Sequence, residues 1–375
     1  MKRLVVGLAA VLCLAANSAF ALITNVGQAS EVCPPTTDPC VVSDTVEVLS
    51  GSVLDFGTRT VEIVPGGMID IGSGSVTILC GDLLVSTSSA VAFQASGPDG
   101  FGSFDGGVLT VEARGHCALA PILSCLGPGD CPSGKCVADT GKIELDGKIA
   151  GSGGWPADVS LRAAGDVRLL RPINLATTAA DGDGGSLTVE SETGSIFVEA
   201  QVTANGGAAG SGGYVSLTSA LDTWINARID LHGGDVDGGW LDVDAGRHLF
   251  VAAPLDASST AGTGSGGTIL LAAGGDVSVE AGGEANADGH RSTGGFFAGD
   301  GGDVEVTADG VVRIDSGASL HANGGNPDGM GGLLSVAAGT AARVGGSLSA
   351  RGGAGEGSGG SVELASGGRL DLLST

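Results

Sequence analysis

Seven times between residues 184 and 366 the chain sets a pair of glycines directly before a six-residue segment of alternating character. The segments are SLTVES, YVSLTS, WLDVDA, TILLAA, DVEVTA, LLSVAA and SVELAS. The pairs end at Gly185, Gly213, Gly239, Gly267, Gly302, Gly332 and Gly360, at intervals of 28, 26, 28, 35, 30 and 28 residues. A period of two puts one face in and one face out, which describes a strand and not a helix. Each interval holds three short pieces of this kind, as in SLTVES, GSIFVEA and QVTAN over residues 186–205. The loops between the pieces are too short for a helical crossover. A unit that returns at a fixed interval and cannot bury its inner face alone must stack on its neighbours. The expected fold is therefore all-β: a parallel β-helix, or solenoid, of three-strand coils with glycine-rich corners.

The register follows from the same pattern. Leu187, Val189, Val215, Leu217, Leu241, Val243, Ile269, Leu271, Val304, Val306, Leu334, Val336, Val362 and Leu364 should point inward in two parallel stacks. Glycine makes up 70 of 375 residues, far above the usual share of about 7%. At the corners it is expected to supply positive φ angles and to let backbones approach closely. Alternating pieces such as TVEVL, TVEIV and SVTILC extend the coils back to residue 45. The solenoid is thus expected over 45–375, and residues 22–44, with Pro34, Pro35 and Pro39, should cap its first open edge.

Residues 1–21 have the form of an export signal. Lys2 and Arg3 precede the apolar run Leu4 to Ala16, and Ala19-Phe20-Ala21 supplies a small-x-small cleavage site. No later segment is long and apolar enough for a membrane span. The expected location is therefore outside the cytoplasm: secreted, on the cell surface or periplasmic. Without Lys2 and Arg3 the 17 basic residues fall to 15, against 42 acidic ones. Such a surface repels nucleic acid and anionic lipid.

Export makes disulfides plausible. Cys33 and Cys40 bracket a proline-rich loop and should pair. Cys117, Cys125, Cys131 and Cys136 crowd one insertion at 117–136, where three pairings are open. Cys80 shares the alternation of SVTILC with Val76 and Ile78 and should face the core unpaired. His116 beside the four cysteines raises zinc, but their spacing lacks a C-x-x-C knuckle.

GGSLTVESETGSIFVEAQVTANGG at 184–207 resembles the repeats of secreted bacterial parallel β-helix proteins, the filamentous haemagglutinin-like exoproteins and the autotransporter passengers. That resemblance implies a non-catalytic scaffold or adhesin-like surface protein that meets carbohydrate or cell-surface ligands. The alternative is a carbohydrate-active β-helix enzyme, a polysaccharide lyase or hydrolase, which needs paired carboxylates, or calcium-binding acids with a basic proton acceptor, stacked on one outer face. Outward positions after the glycine corners, such as Ser186, Thr188, Glu190, Tyr214, Ser216 and Thr218, form no carboxylate array and bring in no Arg or Lys. No catalytic residue is expected.

Trp155, Tyr214 and Trp240 each follow a Gly-Gly pair. Stacked on one edge, with Trp155 two coils below Tyr214 and with Asp242 and Asp244 beside them, they are the candidate ligand-binding residues. No cofactor or fixed metal site is expected. Calcium is the one ion the acids Asp235, Asp237, Asp242 and Asp244 could take through oxygen ligands, although a solvated acidic face is the plainer account. The five histidines, His116, His232, His248, His290 and His321, are scattered and expected at the surface.

Overall fold

The computed structural model of the protein describes residues 22–88, 90–98, 104–117, 120–131, 136–137, 141–291 and 297–373. The expected export signal at 1–21 lies outside them. The described chain forms a parallel β-helix of three long parallel sheets with 11, 12 and 12 strands. Each coil contributes one strand to each sheet. In one coil Ser186–Ser191 lies in the first sheet, Ile196–Val198 in the second and Val202–Thr203 in the third. The next coil repeats this with Tyr214–Ser219, Thr223–Ile225 and Ile229–Asp230. In the first sheet the register runs without a slip from Val108–Ala113 to Ser361–Ser366.

The period of two decides what is buried. Leu187, Val189, Val215, Leu217, Leu241, Val243, Ile269, Leu271, Val304, Val306, Leu334 and Val336 are all at most 1% exposed. Burying each such side chain stabilises the rod by roughly 1.5–3 kcal/mol. Val362 and Leu364 depart from the expectation: Val362 is 46% exposed and Leu364 half-buried, because no described coil covers their side of the last rung. A third inward column in the same sheet holds only small residues, from Cys80 and Ala113 through Ala163, Ser191 and Ser219 to Ala245, Ala273, Ala308 and Ala338. Cys80 occupies that column as an unpaired, buried residue. Burial, and then the charge of Asp82, holds its thiol far above the usual range, so it packs as a small apolar group and not as a nucleophile.

The corner glycines work differently from expectation. None of the pairs ending at Gly185, Gly213, Gly239, Gly267, Gly302, Gly332 and Gly360 has a positive φ; such angles fall at other glycines, for example Gly282 and Gly317. What the pairs provide is room. A Cβ on Gly212 would lie 1.8 Å from the Leu231 carbonyl oxygen, and one on Gly238 1.7 Å from that of Ala257. A Cβ on the second glycine would strike the corner below: Gly239 meets the Gly213 oxygen at 2.4 Å and Gly267 the Gly239 oxygen at 2.0 Å. The N–H of the second glycine meanwhile donates to the residue closing the third-sheet strand, as from Gly213 to Ala204 and from Gly239 to Leu231.

The coils begin earlier than the proline-rich sequence suggests. Leu22–Val26 pairs in parallel with Thr45–Val48, and Cys40–Val42 with Val61–Ile63, so both already run in the sheets. Between them the one-turn helix Ala29–Val32 is closed by the Glu31 carboxylate, which accepts the N–H groups of Gly27 and Gln28. A disulfide joins Cys33 to Cys40. The cysteine-rich insertion forms a small antiparallel sheet of Gly115–Cys117, Ala120–Cys125 and Cys136–Val137. Of the three open pairings the structure has Cys117–Cys131 and Cys125–Cys136. Among the described residues no helix is long and apolar enough to cross a membrane.

Candidate functional site

The glycine corners leave a trough on the outside of the rod. With no side chains along its floor, the stacked pairs 184–185, 212–213, 238–239, 266–267 and 301–302 open a groove of about 700 Å³. One wall is the first outward column of the first sheet, where Asp158, Ser186, Tyr214, Trp240, Thr268 and Asp303 are register partners on successive coils. Tyr214 and Trp240 are 40% and 48% exposed. Asp237 and Asp300 join from the loops, so the lining carries four carboxylates and no basic residue.

The candidate residues are only partly brought together. Tyr214 and Trp240 are direct neighbours, as expected. Trp155 is exposed but off the column: in its coil Asp158 is the register partner of Ser186, and Trp155 lies three residues earlier. The reason is local. Trp155-Pro156-Ala157 separates Gly154 from the strand, so Ala157 stands where the next coil has Gly185. Asp242 and Asp244 point outward from the strand that Trp240 begins, beside the groove and not in its lining. Burial, and then the charge of Asp244, raises the Asp242 carboxyl above its ordinary range.

Of the acids in residues 235–244, Asp235 has a structural role. Asp235 accepts the Thr263 N–H at 2.6 Å from the coil above. The same device recurs where strands end: Asp183 accepts from Ser211, Asp276 from Val311, Asp288 from Asn323 and Asp300 from Met330. Among the described residues the one cluster with metal-ligand spacing is Cys117, Cys125 and Cys131, whose sulfurs are committed to disulfides. His232 is not a plain surface residue. Its Nδ1 lies 2.8 Å from Oδ1 of the buried Asp230. That bond raises the imidazole against the opposing effect of burial. Burial pushes Asp230 up, but His232 and Arg228 bring its carboxyl below the usual range.

Sequence reasoning missed two clusters. The first contradicts the expectation that no basic residue joins the outward carboxylates. Glu112, Arg162 and Glu190 are register partners on three successive coils. Arg162 Nε lies 2.9 Å from Glu190 Oε2 and donates at 3.0 Å to Glu192 Oε1, while Arg114 Nε donates at 3.0 Å to Glu112. Burial, then Glu192, raises Glu190. The disulfide-tied insertion overhangs this array and closes a cleft of about 430 Å³ through Leu126 and Asp130. The alternation that points Glu112 and Arg162 outward was legible, but the 50-residue interval across the insertion hides the alignment of Glu112 with Arg162, and Trp155-Pro156-Ala157 in place of a glycine pair hides that of Arg162 with Glu190. The second cluster is an outward aromatic ladder on the second sheet. Phe197, Trp224 and Phe250 stack with centroids 4.7 and 5.4 Å apart and ring planes within 1° and 10°. Its signal was the central residue of SIFVE, DTWIN and HLFVA, which attention to glycine-following aromatics passes over. No family model, curated protein or solved structure matches the chain.

Proposed function

We propose that this chain is an exported, non-catalytic scaffold that acts by surface contact, in the manner of an adhesin, and that its corner groove receives a neutral glycan. The observation that carries the reading is Tyr214 and Trp240 on adjacent rungs, forming one wall of a groove floored by bare glycine backbone. Exposed aromatic faces pack against the apolar faces of sugar rings. Carboxylates such as Asp237 and Asp303 accept hydrogen bonds from hydroxyls, and their charge disfavours anionic sugars. A glycan-binding screen with and without calcium tests the proposal. The double variant Tyr214→Ala, Trp240→Ala should lose binding with its thermal midpoint little changed, and Trp155→Ala should bind like the parent. Undiminished binding by the double variant would remove the groove from consideration.

A second reading is supported by the Glu112–Arg162–Glu190 array. A carboxyl whose pKa is raised by burial and by a second carboxylate beside it, as at Glu190, is displaced in the direction that general acid catalysis of glycoside cleavage uses. Polysaccharide cleavage by the purified chain, abolished by Glu190→Gln, would replace the scaffold reading with this one.

A further inference from the structure

The aromatic ladder ends differently on its two sides. Below, Arg168 is the register partner of Phe197, and its guanidinium lies 4.3 Å from the Phe197 centroid. Above, Phe250 is followed on the next rung by Ser278, then by Arg313 and Arg343. The column therefore reads arginine, three rings, a small residue and two arginines. The Ser278 rung opens a pocket of about 400 Å³ bounded by Phe250, Arg313 and Arg343, with His248 and Asp276 at its side.

The dimensions of this gap are set by the coils. Rungs are about 4.8 Å apart, so the ring of Phe250 and the stem of Arg313 are separated by about 10 Å. One ring placed midway would repeat the centroid spacing of the ladder, and Arg313 would then stand over it as Arg168 stands over Phe197. Both spacings fall within the stacking and cation–π ranges. The flat face of Phe250 below, with a guanidinium on the rung above, favours a planar ring over a puckered one. The charge selects as well. Arg313 is held by Asp315 on its own strand end. Among the described residues Arg343 has only a 3.9 Å approach to Asp371, and it is more than half exposed. Its fork retains donors for a carboxylate. His248 leaves the slot open: its Nδ1 accepts the Asp276 N–H at 3.0 Å, and its ring tilts 53° to Phe250 at 6.3 Å.

We infer that the rung at Ser278 is a binding slot for an aromatic carboxylate, whose ring completes the ladder on Phe250 under Arg313 and whose carboxylate meets Arg343. The site shares no residue with the corner groove and stands or falls apart from it. Ligand-observed NMR titration of the full chain with benzoate, benzyl alcohol and cyclohexanecarboxylate tests the inference. Benzoate should bind, and the other two should bind at least about tenfold more weakly, the factor expected when one charge-assisted contact or one stacked face is lost. Ser278→Phe fills the rung from within. It should abolish benzoate binding and leave the thermal midpoint unchanged or raised. Arg343→Gln should weaken benzoate about tenfold and leave benzyl alcohol unaffected. The inference is overturned if benzoate does not bind, if cyclohexanecarboxylate binds equally, or if folded Ser278→Phe still binds benzoate. Should Ser278→Phe fail to fold, unaltered benzoate binding by Arg343→Gln and by Phe250→Leu overturns it instead.

Discussion

Gly238 and Gly282 are both required to be glycine, for different physical reasons. Gly282 has φ +95° with nothing closer than 3.7 Å to a Cβ, so alanine there meets backbone strain alone. Gly238 has an ordinary φ, but a Cβ would sit 1.7 Å from the Ala257 carbonyl oxygen, in backbone that two ladders hold in place. Gly282→Ala should cost about 1–2 kcal/mol, and Gly238→Ala well over that, because the corner must open to admit the methyl. Urea denaturation of the two variants decides it, and equal midpoints would sink the close-approach account. A second prediction concerns Asp222, whose side chain is 6% exposed. Its carboxylate accepts from Arg247 Nε at 2.6 Å and from the His248 N–H at 3.2 Å. The Arg247 bond is the chief cause that lowers its pKa. A carboxyl depressed on folding contributes stability that is full above its unfolded pKa, about 3.9, and is lost as pH falls through the folded value. Asp222→Asn should therefore be less stable at neutral pH and show a flatter acid limb. An unchanged slope of stability against pH below about pH 4 would contradict this.

At the scale of elements, the strands were legible and their neighbours across an interruption were not. Period-two alternation names the inward face of Tyr214–Ser219 or Trp240–Ala245 residue by residue, since a single slip would put every apolar side chain in water. The corner pairs were legible as well, but their reason was not: close approach depends on where carbonyls of other coils lie, which no local stretch encodes. Gly153-Gly154 misled for the same reason, being a glycine pair whose corner position is taken by Ala157. Glu112 and Arg162 lie on either side of the insertion, and only the register shows them as partners. That insertion has its own antiparallel sheet and two disulfides, outside the three long sheets. Replacing Cys125 and Cys136 by Ser should make it the first site of limited proteolysis and open the Glu–Arg cleft, while the thermal midpoint of the rod moves little. A large fall in that midpoint would show that the loop braces the coils.

At the scale of the molecule, the twelve-strand sheets at about 4.8 Å per rung make a rod roughly 55 Å long. Part of its acidity is structural. Where the strand ladders break at corners, carboxylates such as Asp183, Asp276 and Asp300 accept the N–H groups of the coil above. A net charge of −25 on such a body favours solubility and repels polyanions. The unbroken register of the first sheet has a further consequence. Tyr214 and Trp240 are equivalent positions, each preceded by a glycine pair, so residues 214–239 form a removable module. Excising them joins Gly213 to Trp240 and offers Trp240 to Ser186, and Phe250 to Phe197, in the alignment the missing turn had held. The shortened chain should fold cooperatively into a rod one rung shorter, about 4.8 Å, by small-angle scattering. An excision displaced by one residue, 214–240, would instead bring the inward Leu241 to the outward place of Trp240 beside Ser186, so that one strand meets its neighbour out of register unless the corner gives up a residue, and the thermal midpoint should fall below that of the 214–239 excision. The rod thus behaves as a stack of interchangeable plates, whose length can be edited without redesigning its ends.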